Sequence, residues 1–361
     1  MSRTWNFAAG PAAMPDEVLR QAQAELLEWR DARASVMEIS HRGQAFMALA
    51  AEIEADLRAL AGIPPHYKVL FLQGGATLQF PLLAMNLARP GQRADYVLSG
   101  HWGDKAAREA APYVEVHIAA DARASGYAAL PPRADWQLDP QAAYVHYTPN
   151  ETIHGLEFHQ VPQVGDVPLV ADFSSSILSA PVDINRFGMI YAGAQKNIGP
   201  SGLTLVIVRE DLLARATRPM AAIFRYAEHA AQDSMLNTPN TFGWYLAGLT
   251  FQWIARHGGL VAMAARNGRK ADTLYAAIDG SGGFYRNPVA PGARSRMNVP
   301  FFLVDPALDG RFLAEAEEIG LLALKGHRAL GGMRASLYNA MPQEGVDALV
   351  DFMCDFQRRH G

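Results

Sequence analysis

Cysteine and lysine are scarce in this sequence of 361 residues, and it contains no long apolar run. Its single cysteine, Cys354, excludes an internal disulfide and fits a reducing cytoplasm. No apolar run approaches the roughly 20 residues of a membrane-spanning helix, and the N-terminus lacks the apolar segment of a secretory signal. The formal net charge of −4 argues against a nucleic-acid or anionic-membrane surface. We therefore expect a cytoplasmic globular protein.

Cys354 lies in a C-terminal stretch whose apolar residues recur at helical spacing, from Val346 to Phe356. We expect it to pack on the apolar side of a helix. The alternative, a catalytic thiol, lacks any neighbouring residue that would activate it.

The order of predicted elements indicates an α/β fold. A chain of this length exceeds one ordinary core and predicts about two domains. Helical patterns alternate with short, continuous apolar runs, which are typical of parallel strands covered on both faces. These runs lie at 67–72, 95–98, 114–118, 143–147, 169–171, 189–191 and 203–208. We expect a large α/β domain with a mostly parallel central sheet over residues 15–258.

After residue 258 the pattern changes to a mixed one. Predicted helices at 259–278, 311–319 and 344–358 are interspersed with predicted strands at 297–304 and 334–338. This mixture predicts a smaller α+β C-terminal domain over residues 259–361, with residues 1–14 packing on it. Because α/β sheets bind ligands at the carboxyl ends of their strands, we expect the functional site in the loops of the larger domain.

One lysine differs in placement from the others. The chain has five lysines against 27 arginines, and Lys105 and Lys270 lie in charged helical stretches. Lys196 instead follows an apolar strand and enters a glycine-rich loop that ends at Gly202. A lysine on a tight loop beside apolar walls can lose its proton and form a Schiff base.

Asp172 strengthens this interpretation, because it ends the preceding apolar strand, 24 residues before Lys196. A carboxylate so placed can keep a pyridine nitrogen protonated while the lysine holds an aldehyde. The ordered pair therefore predicts pyridoxal phosphate chemistry. A solvated loop lysine and a helix-capping aspartate are the alternative.

Three further strand ends carry residues suited to this cofactor. Gln73-Gly-Gly-Ala-Thr-Leu-Gln79 leads into a helix, whose free backbone N–H groups can hold a phosphate. Trp102 follows the next strand and can stack on a flat ring, and Thr152 offers a hydroxyl after a third strand. A plain glycine turn, a core tryptophan and a Thr/Asn turn are the alternatives. The histidines show no metal-ligand spacing, so we infer no metal site.

Local basic clusters stand out in this acidic chain: His41 with Arg42, Arg294 with Arg296, and residues 325–334. Such clusters suggest pockets for small anions rather than a track for a polyanion. Taken singly, each is more often a solvated surface.

Several motifs together resemble the phosphoserine aminotransferase family, which belongs to the class V aminotransferases and to fold type I of the pyridoxal phosphate enzymes. They are Met37-Glu-Ile-Ser-His-Arg-Gly43, Tyr191-Ala-Gly-Ala-Gln-Lys-Asn-Ile-Gly-Pro-Ser-Gly202, Asn237-Thr-Pro239, Arg294-Ser-Arg-Met-Asn-Val-Pro300, Lys325-Gly-His-Arg328 and Gly331-Gly-Met-Arg-Ala-Ser336. The resemblance covers essentially the whole chain. The lysine loop and the segment 325–336 are its most specific parts.

The resemblance implies roles around the cofactor, pyridoxal 5'-phosphate. Lys196 would be the Schiff-base lysine and would later shuttle the proton. Asp172 would pair with the pyridine nitrogen. Trp102 would stack on the ring, and Thr152 would hydrogen-bond near the ring's 3-oxygen.

The cofactor phosphate would be held from two subunits of a homodimer. Gln195 and the backbone of Ala76 and Thr77 would bind it from one subunit. Asn237 and Thr238 would reach it from the other. Without the resemblance, these two side chains would be interpreted as caps of the helix that starts near residue 241.

The resemblance also assigns the substrate's two anionic groups. Arg334 would take the α-carboxylate. His41, Arg42, His327 and Arg328 would receive the distal anion, which is a carboxylate in one substrate and a phosphate in the other. Bidentate arginine with histidine nearby suits both groups.

Thr77 departs from the family pattern. Many bacterial relatives carry Gly-Gly-Gly-Arg-Gly-Gln where this chain has Gly74-Gly-Ala-Thr-Leu-Gln79. The missing arginine could otherwise bind the substrate phosphate, whereas the backbone N–H groups remain.

The implied reaction transfers an amino group between L-glutamate and 3-phosphohydroxypyruvate, giving 2-oxoglutarate and O-phospho-L-serine in serine biosynthesis. Use of 3-hydroxy-2-oxo-4-phosphobutanoate, on the route to pyridoxine, is also implied. The alternatives are an aminotransferase for another 2-oxo acid, such as the alanine–glyoxylate type, a cysteine desulfurase, and a cofactor-free phosphate-binding protein.

Overall fold

A computed structural model describes residues 4–361 of the chain. The strands are β1 Trp5–Asn6, β2 Tyr67–Leu72, β3 Arg93–Leu98, β4 Glu115–Asp121, β5 Val145–Tyr147, β6 Asn150–Glu151, β7 Leu156–Glu157, β8 Leu169–Asp172, β9 Met189–Gly193, β10 Thr204–Arg209, β11 Tyr285–Arg286, β12 Asn298–Leu303, β13 Leu321–Leu322 and β14 Met333–Ser336. The α-helices are α1 Asp16–Ala24, α2 Gln44–Ala61, α3 Gly75–Leu87, α4 His101–Ala110, α5 Glu210–Leu213, α6 Tyr226–Ala231, α7 Thr241–Arg256, α8 Gly259–Asp279, α9 Asp309–Glu318 and α10 Gln343–His360. Within the described range, no helix is long and apolar enough to cross a membrane.

A seven-stranded sheet lies at the centre, in the order β2-β10-β9-β8-β5-β3-β4. All neighbouring pairs from β9 to β4 are parallel, and β10 alone runs against its two neighbours. The seven strands predicted up to residue 208 are therefore confirmed, with ends displaced by a few residues. The mostly parallel α/β architecture is confirmed with them.

The strands are continuous apolar runs because each of them is buried on both faces. In β10, Leu205 and Ile207 join the core on one side of the sheet, whereas Val206 and Val208 join the core on the other side. Successive side chains of a strand point to opposite faces, so a strand covered on both sides needs apolar residues at every position.

A second, antiparallel sheet of β11, β12 and β14 lies in the C-terminal part, where α8, α9 and α10 help to enclose its core. The predicted helices and strands beyond residue 258 are confirmed there. The N-terminal strand β1 pairs with β13, and Phe7 is buried in the same core. The domain division at residues 258 and 259 stays a prediction.

Asn240 begins helix α7, because its side chain accepts a hydrogen bond from the Gly243 N–H at 2.9 Å. The alternative in which Asn237 and Thr238 cap this helix is therefore wrong. Both of these residues are exposed.

The prediction for Cys354 is also wrong, because its side chain is exposed. Helix α10 buries Val346, Leu349, Met353 and Phe356 along one side. Cys354 follows Met353 by about 100° around the helix and so points away from that stripe.

Lys270 is buried rather than part of a charged surface, which corrects the interpretation of its helix. Its ammonium donates hydrogen bonds to the carbonyl oxygens of Leu337 and Met341, at 3.1 and 3.0 Å, and to that of Tyr338. The side chain therefore joins α8 to the chain that follows β14. Three acceptors match the three N–H groups of a charged lysine.

We predict that Lys270→Met lowers the free energy of unfolding by about 2–4 kcal/mol, because three buried carbonyl groups lose their donor. Lys68→Met is the matched control. Lys68 pairs with Glu210 at 2.9 Å on the surface, so its loss should change stability by less than about 1 kcal/mol. Denaturant unfolding of both variants measures the difference, and equal effects would contradict the structural role of Lys270.

Candidate active site

Four predicted site residues lie at the carboxyl ends of four neighbouring strands. Trp102 follows β3, Thr152 follows β5, Asp172 ends β8, and Lys196 follows β9. These strands are adjacent in the sheet and parallel. Their carboxyl ends therefore meet at one edge, and the loops bring the four side chains into one cleft.

Lys196 is the centre of this cleft. Its Nζ donates a hydrogen bond to Thr152 Oγ1 at 2.7 Å and lies 5.7 Å from the centre of the Trp102 ring. Burial lowers the pKa of Lys196 to about 8, although the charge of Asp172 opposes this shift. The N-terminal segment passes over the lysine, since a Cβ built on Gly10 would lie 3.5 Å from Lys196 Cγ.

Asp172 is buried beside the lysine. Its Oδ1 accepts a hydrogen bond from the Ser174 N–H at 2.9 Å. Burial raises the pKa of Asp172, whereas Ser174 and the Lys196 charge lower it. A carboxylate in this setting is suited to a cationic N–H partner, such as a protonated pyridine nitrogen.

The turn before α3 has the geometry of an anion cradle. Gly74 and Gly75 have φ values of +92° and +67°, which favour glycine. A Cβ on Gly74 would lie 2.4 Å from Leu78, whereas one on Gly75 would meet no atom within 4 Å. The N–H groups of Ala76 and Thr77 belong to the first turn of α3, where intrahelical acceptors are missing. Gln195, beside Lys196, accepts a hydrogen bond from the Ala12 N–H through its carbonyl oxygen.

Strand β14 and the loop before it contribute the cationic side of the cleft. Arg334 is partly buried, its Nη1 lies 3.4 Å from the Thr152 carbonyl oxygen, and its charge acts on Lys196. His327 is close enough to interact electrostatically with Arg334 and Arg328. The structure therefore brings Arg334, His327 and Arg328 together.

His41, Arg42, Asn237 and Thr238 are not joined to this cluster in the described chain. In residues 4–361, no hydrogen bond, ion pair or ring contact links His41, Arg42, Asn237 or the Thr238 side chain to Lys196 or Arg334. Arg294 is also unavailable as a free cation, because it pairs with Asp279 at 2.6 Å. No group of His, Cys, Asp and Glu in the described part of the chain could hold a metal ion.

Comparison with known proteins agrees with this geometry. The family described as Aminotransferase class-V matches residues 4–349. A phosphoserine aminotransferase of Stenotrophomonas maltophilia is 63% identical over 361 residues, covering 100% of both chains. The chain belongs to the phosphoserine aminotransferase family of class V.

Solved structures of this family superpose closely. That of the Bacillus circulans subsp. alkalophilus enzyme has a TM-score of 0.98 at 48% identity and covers 99% of each chain. That of a phosphoserine aminotransferase with bound PLP, from Trichomonas vaginalis, has a TM-score of 0.93 at 41% identity and covers 98% of this chain and 100% of its own. The fold type I architecture is thereby confirmed.

Sequence reasoning missed three titratable residues of the cleft: Glu151, His101 and His154. The Glu151 carboxylate is buried against the start of α4. The His101 ring lies 5.9 Å from that of His327, and the two act electrostatically on His154. A signal was present, because His101 adjoins Trp102 and Glu151 adjoins Thr152.

We predict that Lys196 captures pyridoxal phosphate at a rate that rises with pH. With a pKa of about 8, only about a tenth of the molecules carry the reactive neutral amine at pH 7. Capture by the apoprotein should therefore accelerate up to about pH 8 and level off above it. Stopped-flow absorbance measures the rate, and borohydride reduction with peptide mapping locates the label. A label on Lys270 or Lys325, or a rate independent of pH between 6 and 8, would contradict the assignment.

Proposed function

We propose that this protein transfers an amino group between L-glutamate and 3-phosphohydroxypyruvate, giving 2-oxoglutarate and O-phospho-L-serine, with pyridoxal 5'-phosphate as cofactor. The observation that supports it most is the partly buried Lys196, which faces Asp172 and Thr152 beneath Trp102, with Arg334 beside it. The same site would accept 3-hydroxy-2-oxo-4-phosphobutanoate, linking the enzyme to pyridoxine biosynthesis. The proposal includes a cytoplasmic location, which suits a chain with one cysteine.

The residues present fit the cofactor. The buried indole Nε1 of Trp102 has no hydrogen-bond partner, so the ring is held by packing and is available for stacking on one face. The N–H groups of Ala76 and Thr77, with Gln195, would hold the phosphate. When bound, the cofactor supplies the aldehyde that carries the amino group and a protonated ring that withdraws electrons from the substrate Cα.

Lys196 Nζ would move the proton from the substrate Cα and return it on the cofactor side. Its lowered pKa supports this role, because the neutral amine is the base. Thr152 Oγ1, at 2.7 Å, holds the amine in place. Asp172 would keep the ring nitrogen protonated, since its buried carboxylate has few other partners.

Different residues would recognise the two anionic ends of the substrate. Arg334 would bind the α-carboxylate, because its guanidinium lies beside Lys196 and Thr152. His327 and Arg328 would face the distal carboxylate or phosphate. Thr77 adds no charge there, so the distal anion depends on this cluster and on His41 and Arg42.

We infer that His41, Arg42, Asn237 and Thr238 act on the partner subunit of a homodimer. Helices α2 and α7 run side by side in the same direction. Near their starts, the Phe46 and Trp244 rings lie 5.8 Å apart, and further along Gln252 Nε2 donates to Asp56 Oδ2 at 2.9 Å. The residues that precede the two helices therefore share one end of the pair.

This shared end is open in a single chain. Arg42, Asn237 and Thr238 are exposed, and the buried His41 Nε2 has no hydrogen-bond partner. The side chains of Asn237 and Thr238 make no hydrogen bond within residues 4–361, although Gln73 Nε2 donates to the Thr238 carbonyl oxygen at 2.8 Å. Polar groups left unused on one surface support a role in a second subunit, which a two-fold axis would make reciprocal.

A coupled assay tests the reaction. Purified protein with L-glutamate should act on 3-phosphohydroxypyruvate with a kcat/KM at least about 100-fold above that for hydroxypyruvate, because the distal cluster loses its anion. Pyruvate and glyoxylate should react as poorly as hydroxypyruvate. Equal rates with glyoxylate would instead support the alanine–glyoxylate type of aminotransferase, and a colourless protein without activity would support a phosphate-binding protein.

Complementation tests the shared site. We predict that Lys196→Ala and the double change Asn237→Ala with Thr238→Ala restore activity when co-expressed, although each variant alone is defective. Every hybrid dimer would contain one intact site, made from the lysine of one chain and the Asn-Thr pair of the other. Random pairing makes about half of the dimers hybrid, so roughly a quarter of the sites should work.

Differently tagged subunits allow the hybrid dimers to be isolated for the activity measurement. The control is a dimer in which both differently tagged chains carry a substitution at Lys196, because it contains no intact site. If the isolated hybrids show no activity beyond the parents, Asn237 and Thr238 serve their own subunit or neither.

A further inference from the structure

Glu151 is a buried carboxylate at the edge of the cleft. It has no solvent-exposed surface and lies in β6, directly before Thr152. Its Oε2 accepts a hydrogen bond from the Trp102 N–H at 3.0 Å, and its Oε1 accepts one from the Gly103 N–H at 2.8 Å. Both donors belong to the first turn of α4, where N–H groups lack helical acceptors and the helix dipole favours a negative charge.

The glycines around Trp102 make room for this carboxylate. A Cβ built on Gly100 would lie 2.4 Å from Glu151 Cδ, which is closer than atoms can approach. Gly100 has an extended backbone with φ 173°, so space rather than conformation requires glycine there. A Cβ on Gly103 would lie 3.1 Å from the Val97 carbonyl oxygen and 3.4 Å from Glu151 Oε1.

The same residue is attached to the other side of the cleft. The Glu151 carbonyl oxygen accepts a hydrogen bond from the Gly155 N–H at 2.8 Å and so closes the turn that presents Thr152. Thr152 in turn accepts the hydrogen bond from Lys196. One side chain therefore joins the loop after β5 to the helix that begins after β3.

Trp102 depends on this attachment for its placement. Its indole Nε1 is buried without a hydrogen-bond partner, so no polar contact of its own fixes the ring. The backbone that carries the ring is fixed by Glu151 instead. A tilt of the first turn of α4 would move the ring relative to Lys196, whose Nζ is 5.7 Å from its centre.

We propose that Glu151 is a positioning residue, whose carboxylate clamps the first turn of α4 and thereby sets the Trp102 ring over the cofactor. The proposal rests on the proposed function, because the ring needs a stacking partner. Glu151 touches neither Lys196 nor the reacting atoms through any described hydrogen bond, and it acts through Trp102.

The test compares Glu151→Ala and Glu151→Gln with the wild type by two measurements that need no substrate. The first is the dissociation constant of pyridoxal phosphate, and the second is the visible circular dichroism of the bound cofactor, which reports how the ring is held. Glu151→Ala should weaken cofactor binding about tenfold, which is the scale expected for the loss of charge-assisted hydrogen bonds. It should also reduce the dichroism. The effect of Glu151→Gln should lie between those of the wild type and Glu151→Ala, since the amide has one accepting oxygen and can keep only one of the two hydrogen bonds from α4.

Glu157→Gln is the matched control. Glu157 lies in β7, paired with Asn150 of β6, and accepts a hydrogen bond from the Arg296 N–H at 2.7 Å. Burial raises the pKa of both Glu151 and Glu157 to about 7, but Glu157 is only partly buried and faces Arg296 and His159 instead of α4. The control should keep cofactor affinity within about twofold of wild type.

Two double-mutant cycles make the outcome decisive. In the wild-type background, Gly100→Ala should weaken cofactor binding as much as Glu151→Ala does. In the Glu151→Ala background it should add little, because the clashing side chain is gone. Glu151→Ala should weaken the affinity for pyridoxal phosphate about tenfold in the wild-type background but less than about twofold in a Trp102→Ala background, because Glu151 acts through the Trp102 ring. The proposal is overturned if Glu151→Ala lowers only thermal stability, or if its full effect persists without Trp102.

Failure of the proposed function would look different. If the wild type binds pyridoxal phosphate but does not transaminate 3-phosphohydroxypyruvate, the cycles still decide the role of Glu151. If the wild type binds no pyridoxal phosphate, both proposals fail together. Gly100→Ala and Glu151→Gln keep the test open should Glu151→Ala not fold.

Discussion

The parallel pairing of β3, β5, β8 and β9 is the constraint on which the site depends. Parallel neighbours place all their carboxyl ends on one edge, so each following loop can contribute one group to the same cleft. The pairing is stable only because both faces of the sheet are covered by apolar side chains. The chemistry therefore rests on a core that takes no part in it.

β10 modifies this arrangement in a useful way. Because it runs antiparallel to β9, the connection that carries Lys196 returns directly to a neighbouring strand instead of crossing over the sheet. The Ala194 N–H donates to the Leu203 carbonyl oxygen at 3.0 Å, and the Gly199 N–H donates to the Ala194 carbonyl oxygen at 2.9 Å. These bonds shape a compact loop that holds the lysine between the sheet and the N-terminal segment.

A buried chain of amide and hydroxyl groups ties the β6–β7 hairpin to the C-terminal sheet and to the N-terminal segment. Asn150 donates to Asn298 Oδ1 at 2.9 Å, Asn298 donates to the Tyr338 hydroxyl at 3.2 Å, and that hydroxyl donates to the Ala9 carbonyl oxygen at 2.6 Å. Satisfied networks of this kind specify one arrangement of the parts they join. Here they fix the segment that contains Gly10 over the lysine.

The central sheet and the position of Lys196 could be predicted from the sequence, because a strand buried on both faces and a lysine at a strand end leave local signals. The position of Glu151 beside Thr152 made it a candidate, but its role could not be predicted, since it depends on N–H groups that belong to a helix about 50 residues earlier in the chain. Lys270 was misjudged for the same reason, as its three acceptors follow β14. Helix α6, with six residues, is too short to show a period. In the described chain no hydrogen bond joins His41 or Arg42 to Lys196 or Arg334, so the predicted role of these two residues stays a prediction.

The scarcity of lysine has a consequence for chemical selectivity. Pyridoxal phosphate is a reactive aldehyde that neutral amines attack, and arginine offers no neutral amine at physiological pH. An ordinary lysine with a pKa near 10.4 is neutral in about 1 of 2500 molecules at pH 7, against about one in ten for Lys196. The chain has four other lysines. Burial lowers the pKa of one of them, Lys270, to about 7, but carbonyl oxygens enclose its amine, so stray adducts have few places to form. The small number of lysines thus limits Schiff-base formation with the cofactor at residues other than Lys196.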